Sequence, residues 1–66
     1  MTEVVIIYKE GGKWERNREV IRIAADYDYK GIGSEGDFCI MMGEEGLEEF
    51  CRKVRKLGYV ESVKVK

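Results

Sequence analysis

Val4-Val5-Ile6-Ile7-Tyr8 is apolar at every position, and so is Phe38-Cys39-Ile40-Met41-Met42. Short runs rich in β-branched and aromatic residues predict strands. A strand with one solvated face alternates apolar with polar side chains, because successive residues point to opposite sides. These two runs do not alternate. Each puts apolar groups on both faces and therefore needs cover on both. A chain of 66 residues has little cover to offer, since a lone core of this size supplies only about 3–5 kcal/mol of net stability.

One stretch carries a helical stripe. Leu47, Phe50, Cys51, Val54 and Leu57 fall at i, i+3, i+4, i+7 and i+10, which is one face of a helix. Glu44, Glu45, Glu48 and Glu49 crowd its start, and Arg52, Lys53, Arg55 and Lys56 its end. Both placements complement the helix dipole. Glu48 with Arg52 and Glu49 with Lys53 are i,i+4 pairs in the favourable orientation. Gly58 stands where a C′ glycine closes a helix. The spacing predicts a helix from about Glu45 to Leu57.

The remainder reads as strands and turns. Glu10-Gly11-Gly12-Lys13 predicts a turn. Ile21, Ile23, Ala25, Tyr27 and Tyr29 alternate with Arg22, Ala24, Asp26 and Asp28, the period of a half-buried strand. Lys30 to Gly36 reads as a glycine-rich loop. Val63 and Val65 alternate with Ser62, Lys64 and Lys66 in a last strand. The expected fold is a single two-layer α+β domain over residues 1–66. Its order is β-β-β-α-β, an antiparallel four-stranded sheet with one helix packed on one face. One helix leaves the second face bare. Val5, Ile7, Cys39 and Met41, with Trp14, are therefore expected at an interface with another copy, as a homodimer or higher oligomer.

Composition excludes several chemistries. The chain has no His and two Cys, so it lacks the usual general base and cannot close a four-ligand zinc site from Cys and His. Two Cys also fall short of a disulfide-dense secreted scaffold. No run approaches the ~18 apolar residues of a membrane span, and the N-terminus does not read as a signal peptide. A cytoplasmic chain with free thiols and no membrane association is the expectation. Hydrophobic residues make up 44% and the net charge is −1, which excludes disorder by composition. Charged residues reach 38%, Gln is absent and Asn occurs once, a hyperthermophile-like pattern that points to a thermostable protein.

The near-zero net charge conceals an uneven distribution. Residues 26–49 hold one basic and eight acidic side chains, whereas residues 51–66 hold six basic and one acidic. Arg52, Lys53, Arg55, Lys56, Lys64 and Lys66 are candidates for binding nucleic acid or phosphate, with Trp14, Tyr8, Tyr27 and Tyr29 as stacking groups. The sequence pI of about 5.5 argues against that reading.

Asp26, Asp28, Gly31, Ser34 and Asp37 imitate a calcium loop. Lys30 occupies a ligand position in it, so Asp26, Asp28 and Asp37 are weaker metal candidates than a solvated acidic surface. Gly31-Ile32-Gly33-Ser34-Glu35-Gly36 spells G-x-G-x-x-G, but a strand follows where a dinucleotide site needs a helix. Cys39 and Cys51 lie in apolar patterns and read as inert. The expected function is a small non-enzymatic interaction or assembly module without a cofactor. A nucleic-acid or phosphate binder is the alternative, and a ligand- or metal-binding module with an acidic site near the loop between the second and third expected strands is a further one.

Overall fold

A computed structural model of the chain describes residues 1–11 and 14–66. The order is β1 (Thr2–Tyr8), α1 (Trp14–Ala24), β2 (Tyr29–Gly33), β3 (Phe38–Met42), α2 (Leu47–Arg55) and β4 (Val60–Val65). The protein is α+β with an antiparallel four-stranded sheet ordered β2-β3-β1-β4. β1 and β2 both run antiparallel to β3, so they are parallel to each other with β3 between them. β3 and β4 stand in the same relation across β1. Two β-α-β units thus interleave, each filling the gap in the other, the split arrangement of ferredoxin-like domains.

This order corrects the β-β-β-α-β expectation and its single helix. The segment Ile21–Tyr29 is not a strand: residues up to Ala24 belong to α1, and only Tyr29 enters β2. The physical reason lies upstream of the alternating window. Glu15, Arg18, Glu19 and Arg22 fall at i, i+3, i+4 and i+7 and are exposed, while Val20 and Ala24, one turn apart, are fully buried. A 3.6-residue period extending back to Trp14 outweighs a two-residue period confined to its end. The loop expected over Lys30–Gly36 shrinks accordingly, because β2 runs to Gly33. The turn expected over Glu10–Lys13 lies partly outside the described residues.

α2 begins two residues later and ends two residues earlier than its spacing suggests. Gly58 does not take the left-handed conformation of a C′ glycine. The last turn closes instead through the Leu57 N–H, which donates to the Val54 carbonyl at 3.0 Å.

Both helices pack on one face. Val4, Ile6 and Tyr8 of β1, and Phe38, Ile40 and Met42 of β3, meet Val20 and Ala24 of α1 and Phe50, Cys51 and Val54 of α2. Val4, Ile6, Ile40, Met42, Val20 and Phe50 are completely buried. Lys30 in edge strand β2 and Glu61 in edge strand β4 are skipped in the pairing register and stand at bulges. Exposed charges at bulged edges discourage strand addition.

Phe50 is the largest of the fully buried side chains. Phe50→Ala removes about 3–5 kcal/mol, which is the whole stability expected of so small a domain. The variant is expected to lose its cooperative transition in urea followed by far-UV circular dichroism.

Candidate functional site

The face of the sheet opposite the helices carries Glu3, Val5 and Ile7 of β1. Pairing aligns them into rows. Gly31, Met41 and Glu3 form one row, Gly33, Cys39, Val5 and Lys64 the next, and Ile7 with Ser62 the third. The centre is apolar, the β2 side lacks side chains at its two glycines, and the β4 side is cationic.

Part of this face is covered by the chain itself. The β2–β3 loop, residues 34–37, folds back onto β1. The Asp37 N–H donates to the Ile6 carbonyl at 3.1 Å, and the Asp37 Oδ2 accepts from the Tyr8 N–H at 2.9 Å. Gly36 takes φ +64°, and a Cβ there would come within 2.6 Å of Val5 Cγ1. Only glycine allows both that backbone and that approach. Glu35 then pairs with Lys66, tying the loop to the end of β4. Beneath it Val5 is 7% exposed and Cys39 1%, while Ile7 and Met41 stay half-buried. Cover that the sequence assigned to a second copy thus comes, for Val5, from a four-residue loop. Trp14 is 63% exposed but lies on α1, on the helix side of the sheet, with the Arg18 guanidinium 5.3 Å from its ring.

The six basic candidates do not converge. Arg52, Lys53, Arg55 and Lys56 are exposed on the helix side. Arg55 reaches back to the Val63 carbonyl at 3.4 Å, and the Lys53 ammonium sits 5.2 Å from the Tyr27 ring. Lys64 and Lys66 belong to the opposite face. A sheet that reads single-stranded RNA stacks bases on aromatic side chains of its open face, and the aromatics here lie elsewhere. Tyr8 is in the core, and Tyr27 packs edge-on to Phe50 at 6.3 Å.

Asp26 and Asp28 are likewise separated from Asp37. The first two flank the Gly43 end of β3, where the Gly43 N–H donates to the Asp28 carbonyl at 2.7 Å. Asp37 precedes the other end. Asp28 pairs with Lys30 at 3.0 Å. Asp26 and Asp28 instead line a cavity of about 550 Å³ with Tyr27, Gly46, Glu45 and Glu49. Among the described residues no three His, Cys, Asp or Glu side chains are placed to hold a metal ion. Cys51 is buried, and burial pushes its thiol pKa up.

A second concavity went unnoticed in the sequence. It lies where β1 ends, α1 begins and α2 turns into β4, with a volume of about 340 Å³. Tyr8 and Tyr59 pack tilted, 5.9 Å apart. The Arg16 guanidinium lies 4.1 Å above the Tyr59 ring, and Lys9, Glu10, Gly11 and Gly58 complete the lining. The one signal for it in the sequence is Gly58 beside Tyr59, a glycine easily mistaken for a helix terminator.

Burial raises the phenol pKa of Tyr8 to about 12, helped by Tyr59 and Asp37. Burial raises Tyr59 to about 12 as well, helped by the Glu19 side chain, although its hydroxyl has no partner in hydrogen-bonding geometry. No helix is long and apolar enough to cross a membrane among the described residues. Comparison with family models, curated proteins and solved structures finds no match to this chain.

Two measurements check this geometry. Gly36→Ala is expected to cost about 1 kcal/mol or more and to speed thiol labelling of Cys39. Tyr8 and Tyr59 are held protonated above the ordinary value of 10. Their stabilising contribution is complete below pH 10 and is lost as pH rises toward 12. Absorbance at 295 nm should therefore show a phenol step near pH 12 that shrinks in Tyr8→Phe and in Tyr59→Phe.

Proposed function

We propose that this chain is a small non-enzymatic interaction module that pairs with a second copy of itself through the open sheet face. The observation that carries the reading is the placement of both helices on one side. It leaves Ile7 and Met41 half-exposed on the other, on either side of the buried Val5–Cys39 row. The bulged, charged edges argue against association by strand addition, so the face is the better contact.

The size of the protein supports a contact that uses the whole face. The molecule measures 30 × 22 × 18 Å, and a standard interface takes about 800 Å² from each partner. Charge then selects the arrangement. A two-fold axis along the strands lays the lysine-bearing β4 of one copy over the glycine strand β2 of the other. Lys64 there meets the acidic 34–37 loop, and no lysine faces a lysine. Neither thiol is open to a substrate, which favours binding over catalysis.

Sedimentation equilibrium at micromolar concentration is expected to give twice the chain mass. Met41→Lys and Ile7→Lys each place an unpaired charge in the interface and should return the chain to a monomer with unchanged circular dichroism. A wild-type chain that sediments as a monomer overturns the proposal.

A further inference from the structure

The concavity beside Tyr59 has the properties of a binding site, and it lies on the helix side of the sheet, away from the open face. We propose that it binds a small oxyanion, the phosphate or carboxylate group of a low-molecular-weight ligand, through Arg16 with Lys9 in support.

The arginine is held but not satisfied. Its guanidinium carbon lies over the Tyr59 ring, 4.1 Å from the ring centre. Attraction to the ring holds the group in place without taking up a hydrogen-bond acceptor, so its N–H donors remain available. Among the described residues no carboxylate pairs with it and no acceptor takes its hydrogens. A planar fork of this kind matches the two oxygens of a carboxylate or phosphate.

The platform beneath it is fixed. Tyr59 packs on Tyr8, whose hydroxyl donates to Asn17 Oδ1 at 2.7 Å. The Lys9 N–H donates to the Tyr59 carbonyl at 2.9 Å, joining the two walls. A group already held in place loses little freedom when a ligand arrives. Lys9 and Arg16 outweigh Glu10 in the lining itself, while Glu19 lies by the Tyr59 hydroxyl.

Gly58 supplies the independent observation. Its backbone is not left-handed, and a Cβ at that position would meet nothing within 4 Å. The fold therefore has no need of glycine there, by conformation or by packing. What glycine does at this position is leave the cleft open. Gly11 on the opposite wall differs, because its φ of +81° accounts for it. The volume of about 340 Å³ is at the small end of ligand sites, which suits a compact anion rather than a polymer.

Titration of the isotopically labelled protein with inorganic phosphate, phenyl phosphate and benzoate, followed by amide chemical shifts, tests the proposal. Saturable shifts confined to the backbone around residues 8–11, 16 and 58–59 are expected. The probe with the higher affinity tells phosphate from carboxylate. Arg16→Ala and Arg16→Lys should each weaken binding about tenfold or more, since lysine keeps the charge but loses the fork. Gly58→Leu should abolish binding by filling the cleft while keeping the fold. Lys64→Ala, on the other face, should leave affinity unchanged. Shifts spread over the α2 cations, no saturable shift at all, or wild-type affinity in either Arg16→Ala or Gly58→Leu each overturn it.

Discussion

Strand β1 is the member on which the rest of the structure depends. Its two neighbours, β3 and β4, both belong to the second β-α-β unit, so with β3, which is flanked by the two strands of the first, it locks the units together. Val4 and Ile6 then form the floor against which both helices pack, with no exposure at either residue. Its other side receives the 34–37 loop through Asp37, which accepts from the Tyr8 N–H where the register with β4 shifts. That bond satisfies a backbone donor at an irregular point of the ladder, where an unpaired buried donor costs about 1–3 kcal/mol. The unbroken apolar run Val4–Tyr8 within β1 is the consequence of being covered from both sides.

That demand for two-sided cover was legible in the sequence, and so were α2, β3 and β4. Their periodicities are unambiguous over their own lengths: Phe50, Cys51 and Val54 bury as their spacing requires, and Phe38–Met42 is a strand with the expected bounds. What was not legible was α1. Val20, Ile21 and Ile23 are β-branched and favour strands intrinsically, and from Ile21 onward the alternation mimics one. The helix forms because Val20 and Ala24 bury together on the sheet, a tertiary effect that outweighs local preference. The error propagated, since with one helix fewer the sheet order had no crossover to interleave.

The site candidates were harder still, because a patch depends on which face each element presents. Lys64 and Arg55 are close in sequence and lie on opposite sides of the sheet. Asp37 looked like a ligand and serves as a backbone partner. Gly36 was legible as a glycine and not as a lid: its reason is Val5, far away in sequence and in contact through the fold.

The uneven charge along the chain becomes a polarity along the helix pair. α1 and α2 run antiparallel, since each leaves the sheet from the C-terminal end of a strand and β1 and β3 oppose one another. The start of α2 and the end of α1 meet at the cavity of Asp26, Asp28, Glu45 and Glu49. The end of α2 and the start of α1 meet at the cleft of Lys9 and Arg16. The nine residues of α2 span about 13 Å, beyond the ~8 Å Debye length at physiological salt. The two ends therefore act as independent local fields. An anion near Arg16 does not feel the distant carboxylates, and a net charge of −1 says nothing about the sign of the surface it meets.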